Sequence, residues 1–221
     1  MPIKEINRTL TKAIRTYKQL LPITSRQLSL DQLTTKNVIA HSMNDKTFDK
    51  FTDNWEDFIN NLDKFWNLLN AYKEHFVDDV KKEKLKGYLG NVNGARTSDD
   101  LLIYLDKARN NSQHTLWRHL RESRPMEVIT GHGATITFES NGIKVTGEGD
   151  AAKEVNILIK PGIFLLNQVK VIEGKKEIEY DLPKNHLGTS LKPMERVLPQ
   201  IVGKLGLEFY QNIFIEFKKR I

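Results

Sequence analysis

Residues Phe48–Tyr72 read FDKFTDNWEDFINNLDKFWNLLNAY. Phe48, Phe51, Trp55, Phe58, Ile59, Leu62, Phe65, Trp66, Leu69 and Tyr72 recur at intervals of three and four. That is the repeat of one apolar helical face, here about seven turns long, and it reads as core. Upstream, Ile6, Leu10, Ile14, Tyr17 and Leu21 keep the same spacing until Pro22 ends it. Ser29-Leu30-Asp31 opens a short helix. Downstream, Phe76, Val80, Leu85 and Leu89 share a face, with Lys81, Lys82, Lys84 and Lys86 around it; Gly90, Asn91, Asn93 and Gly94 are expected to break that helix. Ser98-Asp99-Asp100 is a start signal, with Ser98 as N-cap and acids in the first turn. Leu101, Leu102, Leu105, Ala108, Leu116 and Leu120 then predict a helix to about Arg121, and Pro125 closes the helical half.

Beyond Pro125 the period becomes two. Ala134–Val145 alternates around Asn141-Gly142, a strong hairpin signal. Val155, Ile157 and Ile159 alternate again, and a second hairpin is expected from Phe164 to Tyr180, turning at Glu173-Gly174-Lys175-Lys176. A loop rich in Pro, Asn and Gly runs from Leu182 to Pro193. Helical spacing returns from Met194 to Lys219, weakened by Gly203 and Gly206. The expected class is α+β. A helical domain over 1–125, whose first 44 residues form a basic N-terminal arm, precedes a β-rich domain with a C-terminal helix over 126–221.

The 221 residues carry 34 Lys+Arg, 28 Asp+Glu and no cysteine. A disulfide framework, a thiolate nucleophile and Cys-type metal sites are therefore excluded. Of the net charge of +6, +4 lies in residues 1–45, with seven Lys+Arg against three Asp+Glu. A basic excess raises the prospect of a phosphate-bearing partner, although Lys-rich helix faces are commonly just solvated. No apolar run approaches membrane-spanning length, so no membrane partner is expected. Lys4, Glu5, Arg8, Lys12 and Arg15 interrupt the first twenty residues, which argues against a signal peptide and for a cytoplasmic protein. There is no P-loop, and no His-Glu-x-x-His or paired His/Asp cluster that would hold a metal. Gly131-His132-Gly133 reads as a structural turn, and His41, His75 and His186 are isolated.

One constellation stands out. In Tyr104-Leu105-Asp106-Lys107-Ala108-Arg109-Asn110-Asn111-Ser112-Gln113-His114, four residues separate Arg109 from His114, and Asn110 follows the arginine. Histidine titrates near neutral pH and arginine binds phosphate bidentately, so the residue types suit proton transfer at a phosphodiester. On a regular helix Arg109 and His114 lie about 140° apart, so convergence needs a second copy or a helix broken near Asn110–Ser112. The bland alternative is a surface helix whose Arg109 and His114 meet only acids or solvent.

The Arg109-Asn110…His114 motif resembles the Arg-x4–6-His signature of the HEPN superfamily (higher eukaryotes and prokaryotes nucleotide-binding), and residues 45–122 can be laid onto such a domain. The resemblance implies an all-α bundle that dimerises through this region and builds a composite site. It implies a metal-independent, cofactor-free endoribonuclease of a toxin or antiviral-defence type, in which the 2′-hydroxyl attacks the adjacent phosphate. His114 is then the general acid or base, Arg109 holds the phosphate, and Asn110 orients either. Arg118 and Arg121 extend the substrate-binding surface. Implied partners are RNA, a second copy of the chain, and an antitoxin or other regulatory protein. Some toxin members carry a tyrosine two residues past the histidine, where this chain has Leu116, so that route of regulation is not expected. Some HEPN domains only bind nucleotides or act as scaffolds, which leaves a non-catalytic module as the alternative. A third reading is a single-stranded nucleic-acid binder working through the basic arm.

Overall fold

A computed structural model describes residues 3–22, 25–27, 29–35, 38, 48–114, 119–123, 127–129, 135–139, 142–146, 156–158 and 163–221. In 111–114 and in the strands between 122 and 158 only the backbone course is described. The chain is α+β. Its helices are α1 (Ile3–Leu20), α2 (Phe48–His75), α3 (Asp79–Ser98), α4 (Asp100–His114), α5 (Pro193–Val197) and α6 (Pro199–Lys218), with a 3-10 turn at Leu30–Gln32. Among the described residues the strands are β1 (Leu120–Glu122), β2 (Glu127–Ile129), β3 (Thr135–Glu139), β4 (Gly142–Thr146), β5 (Asn156–Leu158), β6 (Phe164–Leu166), β7 (Val169–Glu173), β8 (Lys176–Tyr180), β9 (Asn185–His186) and β10 (Thr189–Ser190).

The aromatic stripe forms the spine. Phe51, Trp55, Phe58, Phe65 and Leu69 of α2 are at most 1 % exposed. α1 lays Ile6, Ala13, Tyr17 and Leu20 against this stripe. Within the basic N-terminal arm, α1 therefore lends its apolar face to the core. The C-terminal helix closes the other side. Phe65 meets Tyr210 and Phe214 edge-on at 6.1 and 5.7 Å, and Tyr72 meets Phe217 at 5.6 Å. A Cβ on Gly203 would stand 3.2–3.3 Å from the rings of Phe58, Tyr17 and Trp55. One on Gly206 would stand 2.5 Å from a methyl of Leu105. The two glycines that weaken α6 as an isolated helix let it approach this closely. The Tyr17 hydroxyl donates to the carbonyl of Gln200 at 2.8 Å, and burial raises its pKa. One apolar core thus runs from Ile6 to Phe217, so the change of period at 125 marks a change of element and not an edge of the core.

Three strand pairs nest within one another. β1 pairs with β6, β2 with β5 and β3 with β4, all antiparallel. The chain leaves the helical core at Leu120 and returns opposite it at Leu166. This root is anchored by Phe164, 4.5 Å from Phe51 and 5.5 Å from Phe48. The β3–β4 pairing sets Glu139 opposite Gly142, in keeping with the expected hairpin, although Asn141 itself lies outside the described residues. The expected turn between β7 and β8 is present, with Gly174 at φ 66° supplying the left-handed residue. Phe164–Leu166 belongs instead to the β1 pair, so that hairpin is shorter than its alternation suggests.

Three local expectations are corrected. α3 runs unbroken through Gly90, Asn91, Asn93 and Gly94 because burial of Leu85, Leu89 and Val92 outweighs poor propensity. The cap of α4 is Asp99, whose Oδ1 accepts from the Leu102 amide at 3.0 Å; Ser98 is still inside α3. The helix does not reach Arg121, because Leu120–Glu122 is strand β1. Leu116 and Leu120 have helical spacing, but Leu120 is buried through pairing with a partner 46 residues away, which local periodicity cannot register.

These observations yield a contrasting pair of variants. Gly203→Val is expected to destabilise the fold by about 2 kcal/mol, since rigid rings must yield. Gly90→Ala, with nothing within 4 Å of the added atom, is expected to stabilise it by up to about 1 kcal/mol. Urea unfolding midpoints measure both.

Candidate functional site

α4 carries the Arg-Asn…His motif, and two features fix its position. At its start, Asp99 caps the helix and also binds the β9–β10 hairpin, through His186 Nδ1 at 3.1 Å and the Leu187 amide at 2.6 Å. Along its length, Leu101, Leu102, Tyr104, Leu105 and Ala108 are buried. The Tyr104 hydroxyl donates to the Asn167 carbonyl at 2.7 Å, and burial raises the pKa of this phenol.

Arg109 leaves α4 toward α2 and α3. Its guanidinium lies 3.4 Å from Asp63 of α2 and 3.8 Å from Asp106, one turn earlier on α4. Arg96 of α3 joins the same two carboxylates at 3.8 and 3.9 Å. Arg96 also stacks 4.6 Å over the Trp66 ring and donates its Nε to the Tyr210 hydroxyl at 2.9 Å. Burial raises the Tyr210 pKa, and Arg96 opposes that rise. The result is a compact, charge-balanced cluster of two arginines and two aspartates. Its side chains are only 13–34 % exposed, so its interactions are less screened than those of a surface pair. Asp63 and Arg96 carry no motif signal in the sequence. Asp106, three residues before Arg109, has the spacing of a helical ion pair, the one local signal for this cluster.

Asn110 follows on the same helix and is half-buried. The helix is unbroken through Asn110–Ser112, so the broken-helix route to convergence is absent. The backbone positions of Arg109 and His114 are therefore about 140° apart around one axis. The His114 side chain, and the whole of Arg118, lie outside the described residues. Arg121 sits on strand β1 and not on α4. Its Nε donates to Asn167 Oδ1 at 2.8 Å, so it joins the strand root to the loop before β7. Asn167 also donates its amide to the His119 carbonyl at 2.8 Å.

His119 shows why histidine chemistry cannot be assigned by composition. It is 3 % exposed, and its Nε2 accepts the indole N–H of Trp55 at 2.7 Å. Burial pushes its pKa down to about 4, so at neutral pH it is an uncharged core acceptor. Elsewhere, a groove of about 530 Å³ lies between α3, the β9–β10 hairpin and α6, lined by Tyr88, His186, Leu191, Leu205, Phe209 and Ile213. Arg109 is not among its lining residues. Among the described residues, no group of three or more His, Asp or Glu is placed to hold a metal ion. No helix among them is long and apolar enough to cross a membrane.

The Trp55–His119 bond has a pH signature. The unfolded chain binds this proton with a pKa near 6.5 and the folded chain near 4. Stability is therefore fully present above about pH 6.5 and is lost as pH falls toward 4, by roughly 3 kcal/mol. His119→Gln keeps an acceptor for the indole but cannot titrate. It is expected to flatten this part of the stability–pH curve measured by thermal unfolding, while the wild type retains the slope.

No protein-family model, curated protein or solved structure matches this chain.

Proposed function

We propose that this protein is an HEPN-type, metal-independent endoribonuclease that acts as a homodimer on RNA. The observation that carries the reading is the placement of Arg109, Asn110 and His114 on one unbroken, firmly packed helix, with Arg109 already oriented by Asp63 and Asp106. A guanidinium held in advance loses little freedom when it takes a phosphate, which favours transition-state stabilisation. Two groups about 140° apart on a continuous helix cannot close on one phosphodiester from a single copy. A second copy completes the site, so that Arg109 of one chain works with His114 of the other. In this scheme His114 transfers the proton to or from the 2′-hydroxyl and leaving oxygen, Arg109 neutralises the phosphate, and Asn110 orients one of them. Arg118 extends the contact to RNA. Cellular RNA places the protein in the cytoplasm, where such an enzyme needs a regulatory partner to restrain it.

One observation favours a second reading. The charge on Arg109 is already balanced by two carboxylates that it shares with Arg96, an arrangement that also serves structural ion-pair networks. On this reading the chain is a non-catalytic nucleotide- or RNA-binding or interaction module of the same type.

Incubation of purified protein with RNA in EDTA separates the two. The enzyme reading expects fragments ending in a cyclic phosphate, with Arg109→Ala and His114→Ala each slowing cleavage at least ~100-fold. Undiminished cutting by both variants sinks the site assignment. Binding without any cutting by the wild type establishes the second reading.

A further inference from the structure

The positive charge of α1 is arranged differently from that of α3. Lys4, Arg8, Lys12, Arg15 and Lys18 are all exposed, and the helix contains one acid, Glu5. At about 100° per residue, Lys4, Arg8 and Arg15 fall within about 40° of one another, on the side opposite buried Ile6 and Tyr17. Lys12 and Lys18 flank that line at about 60° to either side. From Lys4 to Lys18 the track is about 21 Å long at 1.5 Å per residue. Among the described residues, none of the five forms an ion pair.

The lysines of α3 supply the comparison. Lys82 meets Glu74 at 2.8 Å, Lys86 meets Glu83 at 3.6 Å and Lys81 meets Asp78 at 4.0 Å. That is how a merely solvated basic helix is arranged, with Lys81, Lys82 and Lys86 each offset by a neighbouring acid. On α1 the charges are left to add. Five like charges on one face repel one another, and this cost persists unless a polyanion relieves it.

We propose that the outer face of α1 is a binding track for the phosphate backbone of a single-stranded nucleic acid. An anionic membrane would offer the same charge, but a helix that lies in a membrane surface inserts an apolar face. The apolar face of α1 is already spent, with Ile6, Ala13 and Tyr17 at 0 % exposure in the core. Only the cationic face is free, which suits a flexible strand of phosphates. No aromatic side chain lies on the outer face for bases to stack on, so the track recognises backbone charge and not sequence. The inference stands apart from the ribonuclease reading, because it concerns binding at α1 and needs neither Arg109 nor His114.

The test uses the full chain and a fluorescent 20-nucleotide RNA bearing 2′-O-methyl groups, which 2′-hydroxyl attack cannot cleave. Anisotropy is read across a salt series. Five phosphate contacts on a single strand give a log–log salt slope of about −3.5 at most. The Lys4→Gln/Arg8→Gln/Arg15→Gln triple variant is expected to bind at least ~10-fold more weakly at low salt, with the slope reduced by about 2. The Lys81→Gln/Lys84→Gln/Lys86→Gln variant of α3 is expected to change affinity less than ~2-fold, since two of the three charges it removes are already offset, Lys81 by Asp78 and Lys86 by Glu83. All substituted side chains are exposed, and circular dichroism with thermal melting checks that both variants fold. The proposal is overturned if wild type does not bind. It also fails if the two triple variants weaken binding equally, or if phosphatidylserine vesicles bind more tightly than the RNA.

Discussion

The close crossing of α6 over α1 and α2 is the constraint on which the rest of the structure depends. Three aromatic rings sit where a side chain at position 203 would have to go, and the backbone of α6 occupies that space instead. Because the α6 backbone lies directly against these rings, Tyr17 reaches the Gln200 carbonyl, and Phe65 reaches Tyr210 and Phe214. The last twenty residues of the chain thereby complete the core begun by the first twenty. The segment between, from β1 to β6, becomes an excursion that must return to its starting point, which the Leu120–Leu166 pairing accomplishes.

That root also governs α4. Asn167 accepts from Tyr104 and Arg121 and donates to the His119 carbonyl, while His119 accepts from Trp55. Helix, strand root and spine are thus held by satisfied polar groups, among which the Trp55–His119 bond is buried, where an unmade hydrogen bond costs most. At the helix start, Asp99 caps α4 and holds the β9–β10 hairpin. The motif-bearing helix is thus fixed at its start and through its first half, and Arg109 projects from it into a cluster with Asp63, Asp106 and Arg96.

Charge is sorted by this packing. The Asp63, Arg96, Asp106 and Arg109 cluster is neutral and shielded, and three lysines of α3 are individually compensated. Five of the seven basic residues of positions 1–45 lie on α1, and among the described residues none of those five forms an ion pair. A bulk charge of +6 spread evenly would say little, whereas five uncompensated cations on one rigid face form a local field.

Periodicity by itself determined the aromatic spine, the amphipathic first helix, the hairpin around Gly174 and the α+β class, because each is decided by which side chains can share a face within a few residues. It also located the Arg109–His114 motif, a matter of local spacing. Only the tertiary structure decided that Gly203 and Gly206 are contact points and not weaknesses, and that Leu120 belongs to a strand. It alone showed that Arg121 braces the strand root, that His119 is an uncharged core acceptor, and that Arg109 meets Asp63. Asp63 is 46 residues from Arg109, Trp55 is 64 from His119, and Gln200 is 183 from Tyr17. Such partners carry no local signal, since the side chains that neutralise a charge or accept a proton are chosen by how helices cross, and crossing is set by the whole core.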